Sequence, residues 1–168
     1  MNLKALFKQY LKNLSEISLR GDAREESFYP TLATLFQDIS ETTDRPHVHV
    51  TMLPKPTDAG NPDFRVWNGT DRIIGYIEAK RPTEERLDVI EGTDHLQRYR
   101  STFPNLILTN FLEFRLYRNG EPVETVLCGP PVVLNKLGVA PPMTGMGISP
   151  RSMDIRGFLS LTIFWVTR

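Results

Sequence analysis

Apolar positions at the amino-terminal end recur at three and four residues. Leu3, Leu6, Phe7, Tyr10, Leu11, Leu14 and Ile17 mark one face of an amphipathic helix ending near Gly21. Asp22 is placed to cap a second helix whose core stripe is Phe28, Leu32, Leu35, Phe36 and Ile39, with Pro30 tolerated in its first turns. The period then changes to two. Residues 47 to 53 alternate as a strand, and 54 to 61 form a loop. Two alternating runs flank Asn68-Gly69 between Asn61 and Lys80, the pattern of a β-hairpin. Thr93 opens a helix to about Thr102, Leu106–Thr109 is a short buried strand, and Leu112–Tyr117 and Val123–Leu127 flank a second Asn-Gly turn at 119–120. The order is helix, helix, three strands, helix, three strands: a mixed α/β layer fold without internal repeats.

The central hairpin also concentrates the chemistry. A tight turn over 68–71 puts Asp63 opposite Tyr76 and diagonal to Glu78. Because side chains alternate, Asp63, Glu78 and Lys80 share one face, while Phe64, Val66, Ile73, Ile77 and Ala79 form the core face. Two carboxylates and an amine gathered in this way suit metal-dependent phosphodiester hydrolysis. Magnesium takes oxygen ligands, keeps several waters and needs only one or two carboxylates. Asp63 and Glu78 supply these, the main-chain carbonyl of Ala79 offers a further oxygen, and manganese is an acceptable substitute. Lys80 is placed to orient the attacking water or to neutralise charge on the phosphate.

Pro62-Asp63 followed by Glu78-Ala79-Lys80 resembles the PD-(D/E)xK nuclease superfamily. Residues 22 to 125 resemble the amino-terminal endonuclease domain of single-chain restriction–modification enzymes, in which an adenine DNA methyltransferase follows the nuclease. The likeness runs through Arg24–Pro30, the hairpin, His95–Tyr99, Phe103–Asn110 and Glu113–Tyr117. It implies a restriction-endonuclease-like mixed sheet with an αβββαβ core, a DNA substrate, a magnesium ion and a methyltransferase or specificity domain as partner. It also implies a helical glutamate that assists the metal, best matched by Glu25. A glutamine and a tyrosine four residues apart commonly line such sites. Here the positions are His95 and Tyr99, with Gln97 two residues off, and Arg81 is a further candidate DNA contact.

Composition narrows the picture. Twenty basic residues balance twenty acidic ones, so the chain lacks the cationic surplus of a stand-alone DNA binder and is expected to borrow affinity from an attached or partner domain. The single cysteine, Cys128, excludes an internal disulfide and fits a reducing cytosol. The longest apolar run, residues 158 to 166, is too short to span a bilayer. Residues 1–127 are expected to form the nuclease-like domain. Residues 128–168, dense in proline and glycine, are expected to be a poorly ordered remnant of a truncated or longer enzyme.

Each assignment has a plainer rival. Asp63 and Glu78 can be surface acids paired with Arg65, Arg72 or Lys80, and Glu25 can complete a capping box with Asp22. His95 and Tyr99 can be ordinary helix-face residues. His47 and His49 share a strand face but lack the further ligands of a zinc site, and scattered arginines such as Arg86, Arg98 and Arg100 are usually surface. Three functions stay open: a magnesium-dependent endonuclease, a catalytically idle DNA-contacting or assembly module of the same fold, and an unrelated α/β domain.

Overall fold

A computed structural model describes residues 3–42 and 48–128 of the chain. Helix α1 (Leu3–Leu19) is followed by a single 3-10 turn (Glu25–Phe28) and helix α2 (Tyr29–Thr42). Strands β1 (His49–Met52), β2 (Phe64–Trp67) and β3 (Ile73–Ala79) follow. Two helices, α3 (Leu87–Glu91) and α4 (Asp94–Thr102), lead to β4 (Asn105–Thr109), β5 (Glu113–Arg118) and β6 (Glu121–Leu127). The described strands make one six-stranded sheet in which spatial order equals chain order. Every neighbouring pair is antiparallel except β3 and β4, which are parallel. A parallel pair cannot be joined by a tight turn, so α3 and α4 make the crossover.

The apolar periods explain how the layers stack. On α1, Leu6, Phe7, Tyr10, Leu11 and Leu14 are buried; on α2, Tyr29, Leu32, Leu35, Phe36 and Ile39 are. These stripes meet Phe64, Val66, Ile77, Ala79, Ile107, Phe114 and Leu116 on one sheet face. Leu87, Leu96, Tyr99 and Phe103 cover the other face against Leu106, Leu108 and Tyr117. The successive residues Leu106, Ile107 and Leu108 point to alternate faces, as a strand buried on both sides requires. The result is a three-layer α/β unit with the sheet in the middle.

Several expected details hold. Thr93 caps α4, its hydroxyl accepting the Leu96 N–H at 3.3 Å. Asn119 and Gly120 both take positive φ, 48° and 83°, the geometry of a two-residue primed turn. Others are corrected. Asp22 caps nothing that starts beside it: the chain makes its 3-10 turn first, and Ser27 Oγ accepts the Arg24 N–H at 3.1 Å. Pro30 thereby falls in the first turn of α2, where its missing N–H costs nothing. The hairpin loop is longer than a tight turn. Asn68 donates its N–H to the Arg72 carbonyl, and its side-chain oxygen accepts the N–H groups of Thr70 and Arg72, so only Gly69 needs positive φ. The β2–β3 register is therefore Phe64 with Ile77 and Arg65 with Tyr76, which brings Asp63 opposite Glu78 rather than Tyr76. An even slip of two preserves the shared face. A bulge at Val66/Trp67 then exchanges Ile73 for Ile74 in the core, leaving Ile73 37% exposed. Helix α3 was not anticipated; its anchor is the fully buried Leu87. The expected strand start at His47 and the Pro/Gly-rich tail after Cys128 lie outside the described residues.

One buried polar contact ties α1 to the far end of the sheet. Tyr10 donates its hydroxyl to the Phe111 carbonyl at 2.8 Å, at the bend after β4 where Phe111 has φ 70°. Tyr10→Phe keeps the ring but leaves that buried carbonyl without its donor. It is expected to lower unfolding free energy by about 1–2 kcal/mol, measured by urea denaturation; an unchanged midpoint would show that the contact contributes nothing net.

Candidate active site

Asp63 sits immediately before β2 and is held from two sides. Its Oδ1 accepts the Tyr29 hydroxyl at 2.6 Å and its Oδ2 accepts the Ala79 N–H at 2.8 Å. The first bond comes from the start of α2, the second from the end of β3. Glu78, on the neighbouring strand, is buried at 4% exposure. Its Oε1 accepts the Lys80 ammonium at 2.7 Å and lies 3.3 Å from His95 Nε2. Its Oε2 is buried and has no hydrogen-bond partner among the described residues. Lys80 is fixed at its main chain as well, where its N–H reaches the Thr109 carbonyl of β4 at 2.7 Å.

Glu25 reaches the same cluster from the 3-10 turn. Its Oε1 lies 3.3 Å from the Tyr29 hydroxyl, whose single proton the much shorter contact assigns to Asp63. The capping-box role for Glu25 is thereby excluded, since its carboxylate turns toward Tyr29 and the Arg81 main chain. On α4, the His95 and Tyr99 rings pack at a 50° tilt with centroids 4.3 Å apart and wall the site. The buried Tyr99 hydroxyl lies by the Asn61 main chain without completing a hydrogen bond of ordinary geometry. Gln97 points elsewhere: it is exposed and donates to the Glu91 carbonyl. The Arg81 side chain is exposed beside the cluster. His49 lies exposed on β1, apart from these groups.

The residue that sequence reasoning passed over is Tyr29. It lies four positions after Glu25 and on the core stripe of α2, packed against Phe64 at 4.6 Å between centroids. The available signal was a tyrosine, rather than a phenylalanine, at the polar edge of a buried stripe. A tyrosine hydroxyl under burial needs a partner, and this one faces acids.

Burial and crowded negative charge set the electrostatics. Burial first, then the neighbouring Asp63, push the Glu78 carboxyl up to about 7, against the lowering pull of Lys80. Burial also raises Glu25, with Lys80 opposing and Asp63 adding. Burial works against the Lys80 ammonium, but Glu78, Glu25 and Asp63 outweigh it and its pKa rises, so it stays charged. His95 is lowered by burial and by the cations Lys80 and Arg98, which keeps the imidazole neutral near pH 7. Tyr29 is raised by burial and by its bond to Asp63, and remains a proton donor.

A buried carboxylate oxygen without a donor, beside a second carboxylate, is an environment that a divalent cation relieves. Among the described residues no three His, Cys, Asp or Glu side chains form a preassembled metal cage. The oxygen donors that meet there are instead the two carboxylates of Asp63 and Glu78. That set fits magnesium, which retains waters, better than zinc or calcium.

Comparison with known proteins adds the architecture. No family model matches the chain, and no curated protein matches it. Among solved structures it is similar to the cryoEM structure of a DrdV–DNA complex, with a TM-score of 0.57 and 25% sequence identity over 79% of this chain. The fold is restriction-endonuclease-like. The matched region is 13% of the DrdV chain, so this chain spans only a small part of that protein's length. No helix among the described residues is long and apolar enough to cross a membrane.

Glu78 gives a pH signature. Its folded pKa lies above the ordinary 4.5, so the neutral carboxyl is the form that folding favours. Its contribution to stability is complete below about 4.5 and is lost as pH rises toward about 7. Metal-free protein is expected to lose stability over that window. Glu78→Gln should flatten the loss and be the more stable form above pH 7, by on the order of 1–3 kcal/mol. Urea midpoints measured across the window check this, and parallel curves for the two proteins would contradict it.

Proposed function

We propose that this chain is a magnesium-dependent DNA endonuclease domain of the PD-(D/E)xK kind. The observation that carries the reading is the meeting of Asp63, Glu78 and Lys80 around a buried, unpartnered carboxylate oxygen. Asp63, Glu78 and the Ala79 carbonyl would hold the ion, with Glu25 supporting it across the Tyr29 hydroxyl. When bound, magnesium polarises a phosphate oxygen and lowers the pKa of a coordinated water.

The chain's own groups then divide the remaining tasks. Asp63 cannot swing away, because Tyr29 and the Ala79 N–H fix both of its oxygens. Lys80 carries a charge whose present partner is Glu78, and its ammonium would stand beside the attacking water or the developing phosphate charge. His95, neutral and half exposed, offers a hydrogen bond at the rim. Tyr99 closes the floor and keeps water from the back of the site. Tyr29 is a positioning residue: it touches the metal-holding carboxylates and not the substrate.

DNA is the substrate this reading takes, supported by the likeness to DrdV, a protein solved in complex with DNA. The neutral charge balance and the small share of DrdV that is matched support a working context in a larger assembly, beside methyltransferase and specificity domains that choose the sequence. The exposed Arg81 side chain at the rim would then meet a phosphate.

Supercoiled plasmid nicking in magnesium or manganese tests the reading. Wild-type protein is expected to nick, while Asp63→Ala and Lys80→Ala should lose at least about 100-fold in rate in protein that circular dichroism shows to be folded. A folded wild type that fails to cleave at high protein and manganese would instead indicate an idle module of the same fold. The supporting role of Tyr29 has its own readout. Tyr29→Phe should weaken manganese binding by about 10–100-fold, measured by calorimetry, with the circular dichroism of the folded protein unchanged; equal affinities would remove Tyr29 from the site.

A further inference from the structure

The face of the sheet that carries Asp63 continues along β2 to Arg65 and Trp67. Phe64 and Val66 between them point to the opposite, buried face. Helices α3 and α4 cover this face around β4, and the cluster beneath them contains no residue of β1 or β2. At the β1–β2 end the face is open: Thr51 and Ile73 are exposed, and Arg65, Trp67 and Tyr76 are half-buried.

Arg65 is held in a particular way there. Its guanidinium carbon lies 5.7 Å from the Tyr76 ring centroid and 5.9 Å from that of Trp67. Both rings are themselves fixed. Tyr76 stacks on Phe103 at 3.9 Å, and the Trp67 indole N–H donates to Thr51 Oγ1 at 3.2 Å. Arg65 Nη2 donates to the Lys55 carbonyl at 3.1 Å, while its Nε is buried without an acceptor among the described residues.

What the arginine lacks is an acid. On the far side of α4, Arg100 and Arg115 both pair with Glu91 at 3.0 Å, and Arg115 pairs with Glu113 as well. Those cations are neutralised within the fold. Lys80 is neutralised by Glu78. Among the described residues no Asp or Glu pairs with Arg65. A guanidinium held rigid between two rings, partly desolvated and missing an acceptor, is prepared to take an anion at little cost in side-chain entropy.

We infer that Arg65, held between Trp67 and Tyr76, is a binding site for a backbone phosphate of the polynucleotide strand that runs into the Asp63–Glu78–Lys80 cluster. The spacing suits it. Arg65 lies two residues from Asp63 on one face, roughly 6.5–7 Å along the strand, a separation that one nucleotide step bridges. Lys55, exposed and joined to Arg65 through its carbonyl, extends the cationic track. The contact is to phosphate and so carries no base preference. The inference rests on the nuclease reading for its ligand, but it concerns binding and not cleavage.

Binding of a fluorescein-labelled DNA oligonucleotide in EDTA, followed by anisotropy from about 50 to 200 mM KCl, tests it. Removing one phosphate contact should lower the slope of log K against log salt by about 1. Arg65→Ala is expected to do this and to weaken binding roughly five- to tenfold at low salt, equally for oligonucleotides of unrelated sequence. Arg65→Gln, which keeps the side-chain stem between the rings, should do the same and serves if Arg65→Ala unfolds. Lys12→Gln, on the outer face of α1, is the control and should leave slope and affinity unchanged. Slopes and affinities for both Arg65 variants equal to wild type would overturn the inference, leaving Arg65 as a brace of the hairpin. So would a wild type that binds no oligonucleotide. Plasmid nicking by the same proteins separates the two claims. Wild type that binds DNA with the Arg65-dependent slope but never nicks would sink the nuclease reading and uphold this site; nicking with an Arg65-independent slope would do the reverse.

Discussion

Asp63 accepts hydrogen bonds on both oxygens from elements that are far apart in the chain, Tyr29 of α2 and the Ala79 main chain of β3. Much of the remaining geometry follows. The Ala79 bond fixes the end of β3 against the start of β2, so the register that places Glu78 opposite is held at its open end as well as at the turn. The Tyr29 bond draws the amino-terminal end of α2 over the same point, and Glu25 comes with it. Burying Glu78 beside an acid already held in place is what raises its pKa, and Lys80 answers that charge at 2.7 Å. A carboxylate free to rotate would relieve this crowding by turning to solvent. One held by two donors cannot.

The fold therefore treats its charges in two ways. Around α4 and the β5 strand, Glu91, Glu113, Arg100 and Arg115 complete one another, and Arg100 additionally donates to the Gly120 carbonyl and lies over Tyr117. That network stabilises the crossover and neutralises its own charges, although the Tyr117 hydroxyl within it is buried without a partner among the described residues. On the Asp63 side the accounting stays open. Among the described residues, Glu78 has an oxygen without a donor and Arg65 has a nitrogen without an acceptor. Incomplete pairing of charged groups under burial is costly, and here both charged cases fall near Asp63.

Local patterns made most of the architecture readable. The three-and-four spacing on α1 and α2, the alternation around Asn68-Gly69, the Thr93 cap and the Asn119-Gly120 turn each depend on residues near in sequence. The shared face of Asp63, Glu78 and Lys80 was legible because parity survives a slip of two. What escaped depended on side chains meeting across distance or on competing local bonds. Asn68 satisfies the loop with its own side chain and lengthens it, which no propensity reveals. The bulge at Trp67 reverses the parity of Ile73 and Ile74. Arg24 stands at the cap position expected of Asp22, and Ser27 accepts its N–H in place of Glu25, which leaves Glu25 to the cluster. Tyr29 drew no site role from the sequence, since nothing near it announces an acid 34 positions away.

The sheet is two antiparallel meanders, β1–β3 and β4–β6, joined along a single parallel seam. Within each meander, strands pair with their sequence neighbours, so each closes over short loops. The seam alone must wait for the helices between Lys80 and Asn105 to fold back, and loop-closure entropy is concentrated there. The first meander by itself carries Asp63, Glu78 and Lys80. Only the seam gives Lys80 its Thr109 anchor and brings His95 and Tyr99 across the acids. Closure of one strand pair thus separates a hairpin that merely bears acidic side chains from a walled cluster, and a nascent chain brings these acids, the ammonium and the rings together only when the whole is built.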